Sequence, residues 1–139
     1  MAKNPIPQGK YIPAKKSANF VFSAGMTPRL DGKLIQVGKV EVDKPLESYK
    51  DAVVQAANNA LTAIKNALAE DEEIAEIMTM TVYVNAEEGF TAHSKLGDFA
   101  SEYIVDELGD IAICSRTAIG VKSLPGDAPL EIQIIATYK

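Results

Sequence analysis

The residues best suited to chemistry lie in the last quarter of the chain. Cys114 to Tyr138 reads Cys-Ser-Arg-Thr-Ala-Ile-Gly-Val-Lys-Ser-Leu-Pro-Gly-Asp-Ala-Pro-Leu-Glu-Ile-Gln-Ile-Ile-Ala-Thr-Tyr. Two runs rich in β-branched residues flank a Leu-Pro-Gly-Asp-Ala-Pro connector, the pattern of two strands joined by a loop. Side chains alternate between the faces of a strand. In the first run Ile111, Ile113, Ser115, Thr117, Ile119 and Val121 share one face, which reads as a core face. Ala112, Cys114, Arg116, Ala118 and Gly120 share the other. A single guanidinium among such small side chains has room beside it for a small anion. In the second run Leu130, Ile132, Ile134 and Ala136 share one face, and Glu131, Gln133, Ile135 and Thr137 the other. If both isoleucine faces pack on one core, Arg116 and Glu131 share the opposite side.

Other reactive groups carry less. His93 is the single histidine, and no Ser or Cys stands in the setting of a catalytic triad, so it reads as a surface residue on the first turn of a helix. Cys114 sits among small residues with nothing to lower its pKa and reads as a buried bystander. The acidic run Glu70-Asp-Glu-Glu has no matched ligand set for a metal and belongs to a loop.

The elements that must position Arg116 and Glu131 follow from periodicity. Residues 1–17, with three prolines and four lysines, read as an extended lead-in with a short edge strand near Tyr11. Asn19–Ala24 reads as a strand, Asp31-Gly32 as a turn, and Leu34–Val42 as a second strand with a bend at Gly38. Pro45–Glu70 is the clearest helix, with Pro45 in its first turn and Asp43 as cap. Tyr49, Val53, Ala56, Ala57, Ala60, Ile64, Ala67 and Leu68 form its apolar face; Lys50, Gln55, Asn58, Asn59, Lys65 and Asn66 form a solvated one. Ile74–Val84 is a strand. Met78, Met80, Val82 and Val84 face the helices, while Ile77, Thr79, Thr81 and Tyr83 form a half-polar face suited to meeting another subunit. A second helix lies within Asn85–Gly109, its core face running from Phe90 to Leu108, with Gly109 as C-cap and Gly97 marking close packing. The order β-β-α-β-α-β-β describes an α+β domain with a mixed sheet and helices on one face.

Composition narrows the function classes. The 139 residues carry 14 Lys and Arg against 19 Asp and Glu, a net charge of −5, and 47% are hydrophobic. That length suits one domain, residues 1–139. The charge and the scarcity of aromatic residues argue against nucleic-acid binding. The one small basic cluster, Lys15–Lys16, reads as a solvated pair. One cysteine excludes an internal disulfide and suits a cytoplasmic location, and neither a membrane-length apolar run nor a signal-peptide core is expected to be present.

At this point the motifs resemble a known family. Ser115-Arg-Thr-Ala-Ile-Gly-Val-Lys-Ser-Leu-Pro, followed by Leu130-Glu-Ile-Gln-Ile-Ile-Ala, resembles the signature of the RidA/YjgF family, also labelled endoribonuclease L-PSP. Phe22-Ser-Ala-Gly-Met-Thr-Pro matches its early strand and Gly-x-x-Pro turn. The resemblance implies a chorismate-mutase-like fold and a homotrimer whose sheets line a central interior, with clefts between subunits. It implies hydrolysis of reactive imines and enamines to 2-oxo acids and ammonia, with no metal or organic cofactor. Carried over residue by residue, Arg116 would grip the substrate carboxylate through paired hydrogen bonds. Glu131 would orient or deprotonate water. Tyr11 would serve as a lid or donor, and Gly25 as the turn glycine. Ser94 and Ala118 stand where the family has asparagine and cysteine, and Ala24 where it has serine. A non-catalytic trimer that binds small carboxylates is the second reading, and a ribonuclease the third.

Overall fold

Alanine sets how closely the first helix approaches the sheet. In the computed structural model, which describes residues 2–139, a 3-10 turn at Leu46–Tyr49 leads into α1, Lys50–Ala67. Ala52, Ala56, Ala57 and Ala60 are fully buried together with Val53 and Ile64, so the periodic face read from the sequence is the packed face. The solvated-face assignment fails at Asn59, which is 7% exposed. Its Nδ2 donates to the carbonyls of Thr27 at 3.1 Å and Arg29 at 2.8 Å, and Gln55 Nε2 donates to its Oδ1 at 2.9 Å. The loop over α1 has carbonyls that need a donor, and the helix supplies one. Asp43 does not cap the helix; Pro45 occupies the cap position without a side-chain hydrogen bond.

The strands are β1 (Ala14–Ser17), β2 (Phe20–Ser23), β3 (Arg29–Leu30), β4 (Lys33–Leu34), β5 (Ile74–Asn85), β6 (Ser115–Val121) and β7 (Leu130–Tyr138). Five form one mixed sheet in the order β1-β2-β7-β5-β6, and β3 pairs with β4 in a small ribbon. Only the β5–β6 pairing within the large sheet is parallel. The crossover between them carries α2 (His93–Leu108), which ends at Gly109 with φ +76°. Both helices pack on one face, over Val21, Met80, Val82, Val84, Ile132 and Ile134, all fully buried. The far face carries Phe20 and Phe22, each more than one-third exposed, and Ile119 at 43%.

Three strand expectations shift. The early edge strand lies a few residues past Tyr11, and β1 turns into β2 through Ala18-Asn19, both with positive φ, as a tight two-residue hairpin turn needs. Leu34–Val42 is not a strand beyond Leu34. Gly38 takes φ +107°, Ile35, Val37 and Val42 stay exposed, and Val40 alone reaches the core, bridging Ala86. In β5 a register shift between Ile77 and Thr79 reverses the alternation, so Ile77 is buried and Met78 is 41% exposed. The acidic run is loop, as expected. Of the Lys15–Lys16 pair, Lys16 is not simply solvated, because its Nζ pairs with Glu72 at 2.6 Å. No helix of the structure is long and apolar enough to cross a membrane.

Asn59→Ala removes the donor from two loop carbonyls. We expect a loss of about 1–3 kcal/mol in urea unfolding, the cost of stranding a buried polar group. An unchanged midpoint would show that water replaces the amide.

Candidate functional site

The β5–β6 register puts Arg116 beside Met80 and Ala118 beside Val82. Those neighbours face the helices, so Arg116 and Ala118 do too. The bulky face of β6 is therefore the open face, with Ile119 43% exposed, and the small face is the packed one; Ile111 and Ile113 lie before the strand, in and just after a 3-10 turn at Gly109–Ala112. This reverses the sequence-based assignment, and the reason is steric. Small residues flank Arg116 where the edge strand β6 runs beside α2. A Cβ on Gly120 would sit 2.8 Å from His93 Nε2, and a Cβ on Gly97 3.1 Å from Arg116 Cζ. Close packing at Gly97 is thus explained by the arginine itself.

The guanidinium does not stand free. Nη1 donates to Asp98 Oδ1 at 3.0 Å and to Ser101 Oγ at 2.8 Å. Nη2 donates to the Ser94 carbonyl and to Ser94 Oγ, each at 2.9 Å. The side chain keeps 17% exposure, and Asp98 keeps 57%. Arg116 is an ordered cation pinned along the first turns of α2. Nearby, burial raises the Cys114 thiol and Arg116 lowers it, with burial the larger effect, so Cys114 is half-buried and not activated. His93 packs edge-on to Phe90, with ring centres 5.1 Å apart.

Glu131 belongs to the other side of the sheet. It pairs with Tyr83, which pairs in turn with Ile119, and all three point to the open face. Beside it the chain leaves β2 after Ser23 and rejoins β7 at Met26, whose backbone exchanges hydrogen bonds with Ile132 at 2.8 and 2.9 Å. Ser23 Oγ accepts from the Ile134 amide at 3.0 Å and closes the gap left by the detour. The detour lays Gly25 over the Glu131 carboxyl. A Cβ there would lie 2.0 Å from Oε2, so only glycine fits without moving the acid. Burial raises the pKa of Glu131, and among the described residues no donor offsets that effect. The carboxyl lines a cleft of about 370 Å³ together with Tyr11, Ala24, Gly25, Thr27 and Arg29. Tyr11 is 48% exposed and its hydroxyl accepts from the Gln8 amide at 3.0 Å.

The predicted site residues therefore fall into two groups. Tyr11, Gly25 and Glu131 come together around one cleft, and Arg116, Ser94 and Ala118 come together beneath α2. Within one chain Arg116 and Glu131 lie on opposite faces of the sheet. Arg29 was passed over in the sequence, because it reads as the lead-in to the Asp31-Gly32 turn. A larger hollow of about 690 Å³ between the helix ends is lined by Leu68, Ile74, Leu108 and Ile111 together with charged side chains such as Lys65 and Glu72. No cluster of His, Cys, Asp and Glu suited to a metal occurs among the described residues.

A two-helix layer over a mixed sheet, with this order of elements, defines a chorismate-mutase-like α+β fold. The family model described as Endoribonuclease L-PSP matches residues 1–138, and the chain belongs to that family, the RidA/YjgF family its motifs resemble. It is 29% identical over 135 residues to a RutC family protein of Aquifex aeolicus (strain VF5), covering 96% of this chain and 93% of that protein. The solved structure of Atu1372 from Agrobacterium tumefaciens, a protein of unknown function, superposes with a TM-score of 0.85 at 27% identity. The match covers 94% of this chain and 82% of that one. E. coli TdcF with bound serine superposes with a TM-score of 0.69 at 22% identity, covering 96% and 92%.

The burial of Glu131 has a consequence for stability. Its pKa in the folded chain lies above the ordinary 4.5, so folding favours the protonated acid. The contribution is fully present below that ordinary value and is lost as pH rises through the folded value. Glu131→Gln, with no charge to bury, should be more stable than wild type at pH 7. The advantage should shrink as pH falls toward 4.5. Thermal melts that keep the same offset at both pH values would contradict this.

Proposed function

We propose that the protein hydrolyses small 2-imino acids to 2-oxo acids and ammonia, in a cleft completed where two copies meet. The observation that carries this reading is the Glu131 carboxyl, half-buried, raised in pKa and unpaired beside open space. A carboxyl raised above its ordinary value and facing open space is suited to taking up and returning a proton. In the step proposed, Glu131 takes a proton from water as the oxygen attacks the imine carbon. The C=N π pair moves to nitrogen, which takes that proton back from Glu131 to give a carbinolamine. The carbinolamine hydroxyl then passes its proton through Glu131 to nitrogen as the C–N bond breaks, the C=O bond forms and ammonia leaves.

The substrate carboxylate needs a cation, and we assign it to Arg116 of a neighbouring copy. Three features support that assignment. The open sheet face keeps Phe20, Phe22 and Ile119 partly exposed, an apolar surface suited to another subunit. Arg116 and Ala118 lie on the edge strand β6 and Ser94 on α2 beside it, where a second chain can reach them. The family resemblance implies a homotrimer with clefts between subunits. The bound serine of E. coli TdcF supports a small-ligand site on this fold.

The second reading is a non-catalytic binder of small carboxylates. One observation favours it: Asp98, Ser94 and Ser101 already occupy both ends of the Arg116 fork. Turnover separates the two. The ribonuclease reading finds less support, since the net charge is −5 and the single histidine has no partner for acid–base work.

Wild-type protein should accelerate ammonia release from 2-iminobutanoate generated in situ. Glu131→Gln should slow this by about 10²–10⁴-fold, the usual worth of a general acid or base. Arg116→Ala should also lose activity while still assembling. Unaccelerated hydrolysis by the wild type would sink the catalytic reading. Sedimentation should show an assembly of three 14.9 kDa chains; a monomer at micromolar concentration would sink the shared cleft.

A further inference from the structure

The Glu131 cleft contains a cation that the proposed reaction does not use. Arg29 lines it, at the start of β3. One end of its guanidinium is fixed: Nη1 donates to the Gly32 carbonyl at 2.9 Å across the turn. Its backbone is fixed as well, because the Arg29 carbonyl accepts from Asn59 at 2.8 Å and Gln55 at 3.3 Å. The rest of the fork is unsatisfied. Nε is buried with no hydrogen-bond partner. Among the described residues Nη2 finds no acceptor, and it lies against the turn at Gly126, next to Pro125 of the cleft wall. No carboxylate of the described residues pairs with this arginine, not even Glu131 on the same cleft.

An arginine held rigidly, with a buried donor unfilled and no counter-charge, is costly to the fold. The cost is relieved when an anion arrives, and a fork pre-set by its own backbone loses little entropy in binding one. The turn is also shaped around the arginine. Gly126 has φ +66°, and a Cβ there would meet Arg29 Nη2 at 3.1 Å and Leu34 Cδ1 at 3.0 Å.

We propose that Arg29 is a specificity residue that recognises a second carboxylate, so that the preferred ligands of the Glu131 cleft are dicarboxylic 2-imino and 2-oxo acids. This rests on the reading that the cleft takes 2-imino acids, with Arg116 receiving the carboxylate next to the reacting carbon. Arg29 receives the one at the far end of the side chain. A cleft of about 370 Å³ has room for such an acid.

The test is calorimetric binding of 2-oxoglutarate and 2-oxobutyrate to the full-length assembly, for wild type, Arg29→Gln and Arg29→Lys. Wild type should bind the dicarboxylate at least about tenfold more tightly, the scale of one charge-assisted contact. R29Q should lose most of that preference, with a much smaller loss on 2-oxobutyrate, and R29K should recover part of it because the charge returns without the fork. Equal affinity of wild type for both acids would overturn the proposal. So would a preference that survives in R29Q, or equal losses on both acids in R29Q and R29K, which would make Arg29 structural. A wild type that binds neither acid would remove the imino-acid reading along with it. Arg29-dependent selectivity without any turnover would remove only the catalysis.

Discussion

A side chain on a strand serves one face of its sheet, and that constraint divides this protein's reactive residues. The β5 register fixes the division. Arg116 aligns with Met80, on the helix side, and Glu131 with Tyr83, on the open side. A single chain thus carries a cation already paired with Asp98 on one face and an unpaired acid on the other. In the proposed function, the two half-sites work only when separate copies bring them together.

Close approach is the means by which each half is held. Alanines let α1 settle on the sheet, and glycines do the same at the two polar groups. Gly97 admits the Arg116 guanidinium against α2, where hydroxyls and Asp98 orient it. Gly25 covers the Glu131 carboxyl and takes water from it, which raises its pKa. The partners differ in kind. The Arg116–Asp98 pair is partly exposed and contributes little to stability, so its main effect is orientation. Glu131 has no partner, and its burial stores an affinity for a proton. Asn59 completes the frame by tying the Thr27–Arg29 loop to α1.

Much of this was legible in the chain. The alanine face of α1, the buried alternation of β7, the Gly109 cap and the closeness at Gly97 all follow from local pattern, because each reflects a contact that the residue type itself demands. The family was legible from Arg116, the Leu-Pro turn and Glu131. The facing of β6 was not. Ile119 looks like core, yet it lies on the open sheet face, while Arg116, Ala118 and Gly120 face α2 behind the strand. Leu34–Val42 alternates like a strand but beyond Leu34 pairs only through the single bridge of Val40 to Ala86. Asn59 and Arg29 escaped for a related reason: their partners are backbone carbonyls brought close by a loop, and carbonyls leave no trace in side-chain pattern.

The most direct test of the shared site is complementation. Arg116→Ala and Glu131→Gln proteins are each prepared, then unfolded, mixed and refolded together. In a mixed assembly, an intact Arg116 from one variant faces an intact Glu131 from the other. Ammonia release from 2-iminobutanoate should return in the mixture although each variant alone lacks it. A mixture no more active than its separate components would contradict a site built from two copies.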